Sequence, residues 1–178
     1  MRFNKKYKLS TGETIEIRIA NIFDSKGIID VWNSIVKEKI YTMGLNLINE
    51  NEEIEFIRNL DRREAILIAM LDEKIVGYLL LTIPEKECKS TLHVAEIGTW
   101  VLKDYRNSGV GHSLLTSAFK FAKLNGFEKM VIKVRSSNGN ALNFYKKHGF
   151  NEVGRFKNQI KIDDIYDDHI LMERFLIY

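Results

Sequence analysis

The chain reads as an α/β protein of the α+β kind: a mixed sheet with helices on both faces. Three observations lead there. Seven segments carry strand-like alternation or short apolar runs, and four carry the i, i+3, i+4 spacing of amphipathic helices. These segments interleave in the order β-α-α-β-β-β-α-β-α-β-β. The third observation is length with continuity. At roughly 150 residues per domain, 178 residues make one domain, taken here as 1–178, and the single proline, Pro84, marks no linker.

Ile15, Ile17 and Ile19 alternate with polar residues across Glu13 to Ala20, the mark of a half-buried strand. Asp24 reads as the cap of a helix that places Ile28, Ile29, Val31, Trp32, Ile35 and Val36 on one stripe. Tyr41 to Asn49 is polar and reads as loop. Glu52 to Leu60 predicts a short helix with Ile54, Ile57 and Leu60 inward. Ile66 to Leu71 and Ile75 to Ile83 predict a hairpin, although Asp72-Glu73-Lys74 is not the usual Asn-Gly or Asp-Gly turn. His93 to Leu102 predicts a fourth strand, and Gly98 in its middle predicts a bulge. Ser113 to Leu124 is helical and ends at Asn125-Gly126. Met130 to Val134 alternates as a strand, and Asn138 to Lys147 forms a helix closed by Gly149. Phe150 to Ile162 and Asp168 to Ile177 supply two last strands.

Composition narrows the function. Hydrophobic residues make up 45% and charged residues 29%, as in globular proteins. No apolar run approaches the ~20 residues of a membrane helix. Met1 to Leu9 is basic and polar, without the ~7–15 apolar residues of a signal peptide, so the cytoplasm is the expected compartment. The lone Cys88 cannot form an internal disulfide. The four histidines are spread without a zinc spacing, so no metal is expected. Lys and Arg number 27 against 24 Asp and Glu, a net charge of +3. That balance is too mild, and too evenly spread, for a nucleic-acid partner.

Chemistry concentrates in two stretches. Arg106-Asn107-Ser108-Gly109-Val110-Gly111 lies between a strand and an amphipathic helix. Glycines let the backbone come close to a ligand, and the unpaired N–H groups of a helix start attract anions. Arginine adds a charge that pairs with phosphate. A plain tight turn would read the same way on its own. No Gly-Lys-Ser/Thr follows, so this is not a Walker loop, and the dinucleotide fingerprint lacks its third glycine. The second stretch, after the next strand, runs from Asn138 through Ala141, Phe144 and Tyr145 to Gly149-Phe150.

Together these stretches resemble the GCN5-related N-acetyltransferase (GNAT) superfamily. Its pyrophosphate turn, Arg/Gln-x-x-Gly-x-Gly/Ala, is met by Arg106, Gly109 and Gly111. Its second motif, Asn-x-x-Ala-x-x-aromatic-Tyr followed by Gly-Phe, is met by Asn138, Ala141, Phe144, Tyr145, Gly149 and Phe150. The strand order agrees over about residues 13–176. The resemblance implies the GNAT fold: a mostly antiparallel sheet of six to seven strands whose fourth and fifth strands splay apart. Acetyl-CoA would enter that gap, leaving as CoA. Its pantetheine arm would meet the backbone near Trp100 and Val101, and its pyrophosphate the amides from Asn107 to His112, with Ser108 and Val110 among them. Asn138 would reach the pantetheine or cap the following helix. Tyr145 would protonate the departing thiolate.

Plainer readings stand beside these roles. Tyr145 also fits a half-buried aromatic with a wet hydroxyl, and His148 fits a helix end, where a cation suits the dipole. The attacking amine must lose a proton. Glu96 in the fourth strand is one candidate base, and water is the other. The face that Glu96 takes turns on the bulge expected at Gly98, since one residue of slip moves a side chain across a sheet. Val31 to Tyr41 lies where the resemblance places the acceptor, and Asn33-x-x-Val36 is similar to a segment of amino-acid and phosphinothricin-type acetyltransferases. Trp32, Glu38 and Tyr41 are the acceptor contacts it implies, with Glu38 drawing an ammonium and core packing the plainer role of Trp32. The acidic C-terminal hairpin around Asp163, Asp164, Asp167 and Asp168 is shared by several acceptor classes and reads first as solvated.

The function expected is acetyl transfer to a primary amine, a small molecule such as an amino acid or polyamine ahead of a protein N-terminus or lysine. A small acceptor predicts a closed pocket beside Trp32 to Tyr41, and a peptide an open groove. A non-catalytic CoA-binding module, or a domain that kept only the fold, is the reading from other classes. The resemblance also implies a homodimer through sheet edges or the C-terminal hairpin.

Overall fold

The computed structural model describes residues 3–42, 44 and 46–176. Met43 and Leu45 of the expected loop, and Ile177 of the expected last strand, lie outside the described residues. The elements are β1 (Asn4–Lys8), β2 (Thr14–Ile19), α1 (Ser25–Lys37), α2 (Glu50–Arg58), β3 (Ala65–Leu71), β4 (Lys74–Thr82), β5 (Val94–Val101), α3 (Val110–Leu124), β6 (Lys129–Arg135), α4 (Gly139–Lys147), β7 (Asn151–Ile162) and β8 (Ile165–Phe175). They form one eight-stranded sheet in the order β1-β2-β3-β4-β5-β6-β8-β7. Every pairing is antiparallel except β5 with β6.

The sheet exceeds the expected six to seven strands by β1, an edge strand. Asn4, Lys5, Lys6 and Lys8 face water there, so the apolar alternation that marks a half-buried strand is missing, and lysines suit an unpaired edge. Only Tyr7 turns in, its hydroxyl 2.8 Å from Ser117 Oγ. Asp24 sits at the N-cap position of α1 without a side-chain capping bond. Its carboxylate instead accepts from Arg18 and from the Asn21 backbone N–H, while Asn21 caps the 3-10 turn before the helix. In α2 the fully buried residue is Glu53; Ile54, Ile57 and Leu60 are half-buried.

Helices cover both faces. α3 and α4 bury Leu114, Leu115, Ala118, Phe121 and Tyr145 against Ala95, Ile97, Met130 and Ile132. On the other face α1 packs Ile28, Val31 and Ile35 against Ile66, Ile68 and Tyr78. At ~25 cal/mol per Å² of apolar surface, such burial is the main favourable term.

The sheet is incomplete at one place. β5 stays paired with β4 from Glu96–Thr82 to Val101–Gly77, and β6 stays paired with β8 through Arg135. β5 and β6 pair with each other only over Val94–Glu96 and Lys129–Val131. Beyond Glu96 they diverge, and the gap holds the site described below. The β4–β5 register is unbroken at Gly98, which pairs with Leu80, so the expected bulge is absent. The glycine has another cause: a Cβ there would lie 2.3 Å from Trp100 Cη2. Trp100 lies flat along the strand over Gly98, on the face shared with Glu96.

The β7–β8 hairpin is fastened beside the gap by Asp167. Its carboxylate accepts from Arg135 Nε (2.8 Å), Ser136 Oγ (2.5 Å) and Ser137 Oγ (2.5 Å). Burial pushes this carboxyl up, but those hydrogen bonds outweigh it and hold it well below the ordinary range. Asp167→Ala leaves the Arg135 guanidinium, whose side chain is only 10% exposed, without its carboxylate, so a stability loss on the order of 3 kcal/mol is expected in urea unfolding. The folded-state value is depressed, so the contribution is present above the unfolded value of about 4 and drains away as pH falls below it. An Asp167→Ala midpoint equal to wild type at neutral pH would refute the fastening.

Candidate active site

Two cavities meet where β5 leaves β6. One, of about 190 Å³, is bounded by Glu96, Lys133 and Arg135 and is called here the Glu96 cavity. The other, of about 370 Å³, is bounded by Arg106, Asn107, Gly109, Gly111 and His112 and is called the turn cavity. Tyr41, Thr99, Trp100, Asn138, Ala141 and Tyr145 border both. One molecule threaded through the turn cavity could therefore meet a second one in the Glu96 cavity.

The turn cavity is a backbone cradle. Asn107 (φ 60°) and Gly109 (φ 106°) are left-handed, which bends the chain so that α3 starts at the cavity wall. The first bond of α3 is Ser113 N–H to Gly109 O, at 3.0 Å. The amides of Val110, Gly111 and His112 thus open the helix without an intrahelical acceptor. A Cβ on Gly111 would make only ordinary contact with Phe144, at 3.5 Å. Ser108 and Val110 turn their side chains inward. Ser108 Oγ donates to Tyr105 O at 2.6 Å, and Val110 is core, so only their backbone can serve a ligand.

Arg106 differs from expectation. Its Nη1 and Nη2 donate to Glu38 Oε2 and Oε1 at 2.9 and 2.5 Å. Its Nε donates to Val101 O at 2.9 Å, and the guanidinium lies 4.2 Å over the Tyr41 ring. Those bonds from Arg106 hold the Glu38 carboxyl below its usual range. Charges expected on a phosphate and on an ammonium are here spent on each other.

Tyr145 projects from α4 to the junction of the cavities. Its ring packs against Phe144 and Phe150. Burial pushes its hydroxyl up to about 12, with Thr99 pulling weakly the other way. No hydrogen bond of good geometry joins the two, and Thr99 Oγ1 is buried without a partner. Asn138 caps α4 by accepting from Ala141 N–H at 3.1 Å and also faces both cavities. His148 closes α4 as expected, donating from Nδ1 to Phe144 O at 2.7 Å. Its Nε2 stands 2.9 Å from His112 Nδ1.

On the opposite side, Glu96 is held 3.2 Å from Lys133 Nζ, and both border the Glu96 cavity. Trp100 walls both cavities, whereas Trp32 stands behind it, edge-on at 5.5 Å. Trp32 Nε1 donates to Asn46 O at 2.9 Å. It braces the segment after α1, and Tyr41 rather than Trp32 reaches the cavities. Sequence reasoning missed Thr99, Lys133 and Arg135. The outward-facing lysine and arginine of an alternating strand were the available signal. Among the described residues, no group of three or more His, Cys, Asp or Glu could hold a metal ion, and no helix is long and apolar enough to cross a membrane.

A family model described as "Acetyltransferase (GNAT) family" matches residues 34–150, from α1 to the end of the second motif. The chain belongs to the GNAT family. The N-alpha-acetyltransferase of Sulfurisphaera tokodaii is 35% identical over 108 residues, covering 55% of this chain and 64% of that protein. The L-amino acid N-acetyltransferase AaaT of Escherichia coli is 28% identical over 109 residues, covering 61% and 66%. This GNAT chain therefore spans just under two thirds of the length of these two relatives. A phosphinothricin acetyltransferase from Sinorhizobium meliloti, solved in complex with AcCoA, superposes with a TM-score of 0.83 at 16% identity, over 95% of this chain and 89% of that one. The strand arrangement and the β5/β6 splay are thus those of the GNAT fold.

Proposed function

We propose that residues 1–178 form a single acetyltransferase domain that moves an acetyl group from acetyl-CoA to a primary amine. The observation that carries this reading is the meeting of two cavities at Tyr145, one built on free helix-start amides and the other on Glu96. The amides of residues 107–112 suit a pyrophosphate. Asn138 and the unpaired side of β5 near Trp100 and Val101 suit the amide-bearing arm, and the thioester then falls at the gap. The turn's arginine is not needed for this fit.

Within that frame the residues divide the work. Glu96, on the cavity floor, draws a protonated amine and takes its proton directly or through water. The attacking nitrogen then reaches the thioester carbonyl across the gap. A backbone N–H on the open side of β5 steadies the developing oxyanion. The buried Tyr145 phenol gives its proton to the sulfur as the C–S bond breaks. From its protonated form the amine nitrogen gains the acetyl group and loses two protons, one through Glu96 to solvent and one that restores the Tyr145 phenol, and the thiol leaves neutral.

A small acceptor is favoured, because about 190 Å³ falls below the ~300–1,000 Å³ of ordinary ligand pockets. Tyr41 and Thr42 line the cavity. The name of the Sulfurisphaera relative keeps protein N-termini as the second reading. An assay pairing free amino acids and polyamines with short peptides decides between them, and turnover of peptides alone would end the preference.

Calorimetric titration with acetyl-CoA tests the coenzyme half. Micromolar binding is expected in the wild type, with at least a tenfold loss in Gly109→Asp. That change puts a side chain on a left-handed residue and a negative charge in the anion cradle. Absence of binding at millimolar ligand would overturn the reading.

A further inference from the structure

We infer that Glu38 and Arg106 are a positioning pair that couples the coenzyme turn to the acceptor side of the gap. The inference rests on the coenzyme site proposed above. Glu38 directly follows α1, 68 residues before Arg106, and one guanidinium joins three places. Its two Nη atoms hold Glu38, its Nε holds the last carbonyl of β5, and its face covers Tyr41. Each partner side chain is about a quarter exposed, at 23%, so this is not a loose surface pair. A carboxylate at the C-terminal end of a helix opposes the helix dipole. Glu38 is disfavoured there on local grounds, and the arginine fork supplies the reason for it. Lysine could not reproduce a bidentate bond plus a third donor and a stacked face.

The consequence is mechanical. Tyr41 borders both cavities, and the guanidinium it lies against belongs to the first residue of the turn. A ligand that steadies residues 106–112 steadies Arg106, and through it Glu38, Tyr41 and Thr42. Filling the turn cavity thereby orders the wall against which the amine must rest. By linkage the acceptor strengthens coenzyme binding by the same factor. Neither residue needs to touch the reacting atoms.

Backbone hydrogen exchange with and without saturating acetyl-CoA tests this without knowledge of the acceptor. In the wild type, slowing of roughly fivefold or more is expected both at residues 106–112 and at 38–42. Glu38→Gln and Arg106→Lys should keep the slowing at the turn and lose it at 38–42. The readout is the ratio with and without ligand, which general loosening of the segment does not produce. Slowing at 38–42 that survives Glu38→Gln overturns the coupling. So does a wild type that slows at the turn alone, which leaves the coenzyme reading intact. A wild type that slows nowhere removes both.

Discussion

Tyr145→Phe is expected to cut the turnover of amine acetylation on the order of 10²-fold or more, while the calorimetric affinity for acetyl-CoA stays within about twofold of wild type. The substitution removes one oxygen from a ring whose packing against Phe144 and Phe150 is otherwise kept. Binding and chemistry therefore separate. Burial pushes the Tyr145 hydroxyl up to about 12, partly offset by Thr99. A phenol so placed stays protonated across ordinary assay conditions, as an acid that must protonate a thiolate requires. The wild-type rate should rise with pH as the amine loses its proton and show no falling limb from Tyr145 below about pH 10. Stability runs the other way at high pH. The folded value lies above the unfolded value of about 10, so Tyr145's contribution is intact below that point and is lost as pH climbs toward 12. Unchanged turnover in Tyr145→Phe would return Tyr145 to the role of a packed aromatic. Coenzyme binding without turnover of any amine would favour a CoA-binding module instead.

The sequence revealed those parts of the site whose residues are contiguous. The turn from Arg106 to Gly111 and the stretch from Asn138 to Phe150 each bring backbone, cap and ring together within one strand-to-helix passage. Tyr145, Asn138 and the turn border the cavities at the β5/β6 gap. The pairing of Arg106 with Glu38 was illegible because its partners lie 68 residues apart and meet only in the folded chain. Each alone suggested a ligand of opposite charge, and the fold supplied that charge internally. The strand β1 was hidden for a different reason, since an edge strand rich in lysine lacks the apolar alternation that marks a strand. Glu96 fell between these cases. Its strand was evident, but its face depended on whether Gly98 broke the register, and the continuous pairing with β4 sets it beside Trp100.

Gly98→Val is the second change with a large expected effect, and its sign separates two explanations of the glycine. If Gly98 were merely a weak strand residue, valine would stabilise β5, because β-branched side chains favour strands and glycine disfavours them. The packing predicts the opposite. A Cβ at position 98 would meet Trp100 Cη2 at 2.3 Å, Cζ3 at 2.9 Å and Cζ2 at 3.0 Å. The ring cannot simply swing aside. Tyr78 lies against it at 4.9 Å and Trp32 meets it edge-on at 5.5 Å. Trp32 in turn holds Asn46 O, so a displaced Trp100 disturbs the segment after α1 as well as the wall common to both cavities. Overpacking of this kind costs about 1–3 kcal/mol. Gly98→Val should lower the urea midpoint, change the fluorescence of the two tryptophans and weaken acetyl-CoA binding together. The cycle with Trp100→Ala makes the cause explicit. With the ring gone, valine at 98 should cost far less than in the wild-type background, a non-additivity expected of side chains in contact. Equal costs in both backgrounds, or a stabilised Gly98→Val, would mean that the glycine serves something other than the tryptophan it faces.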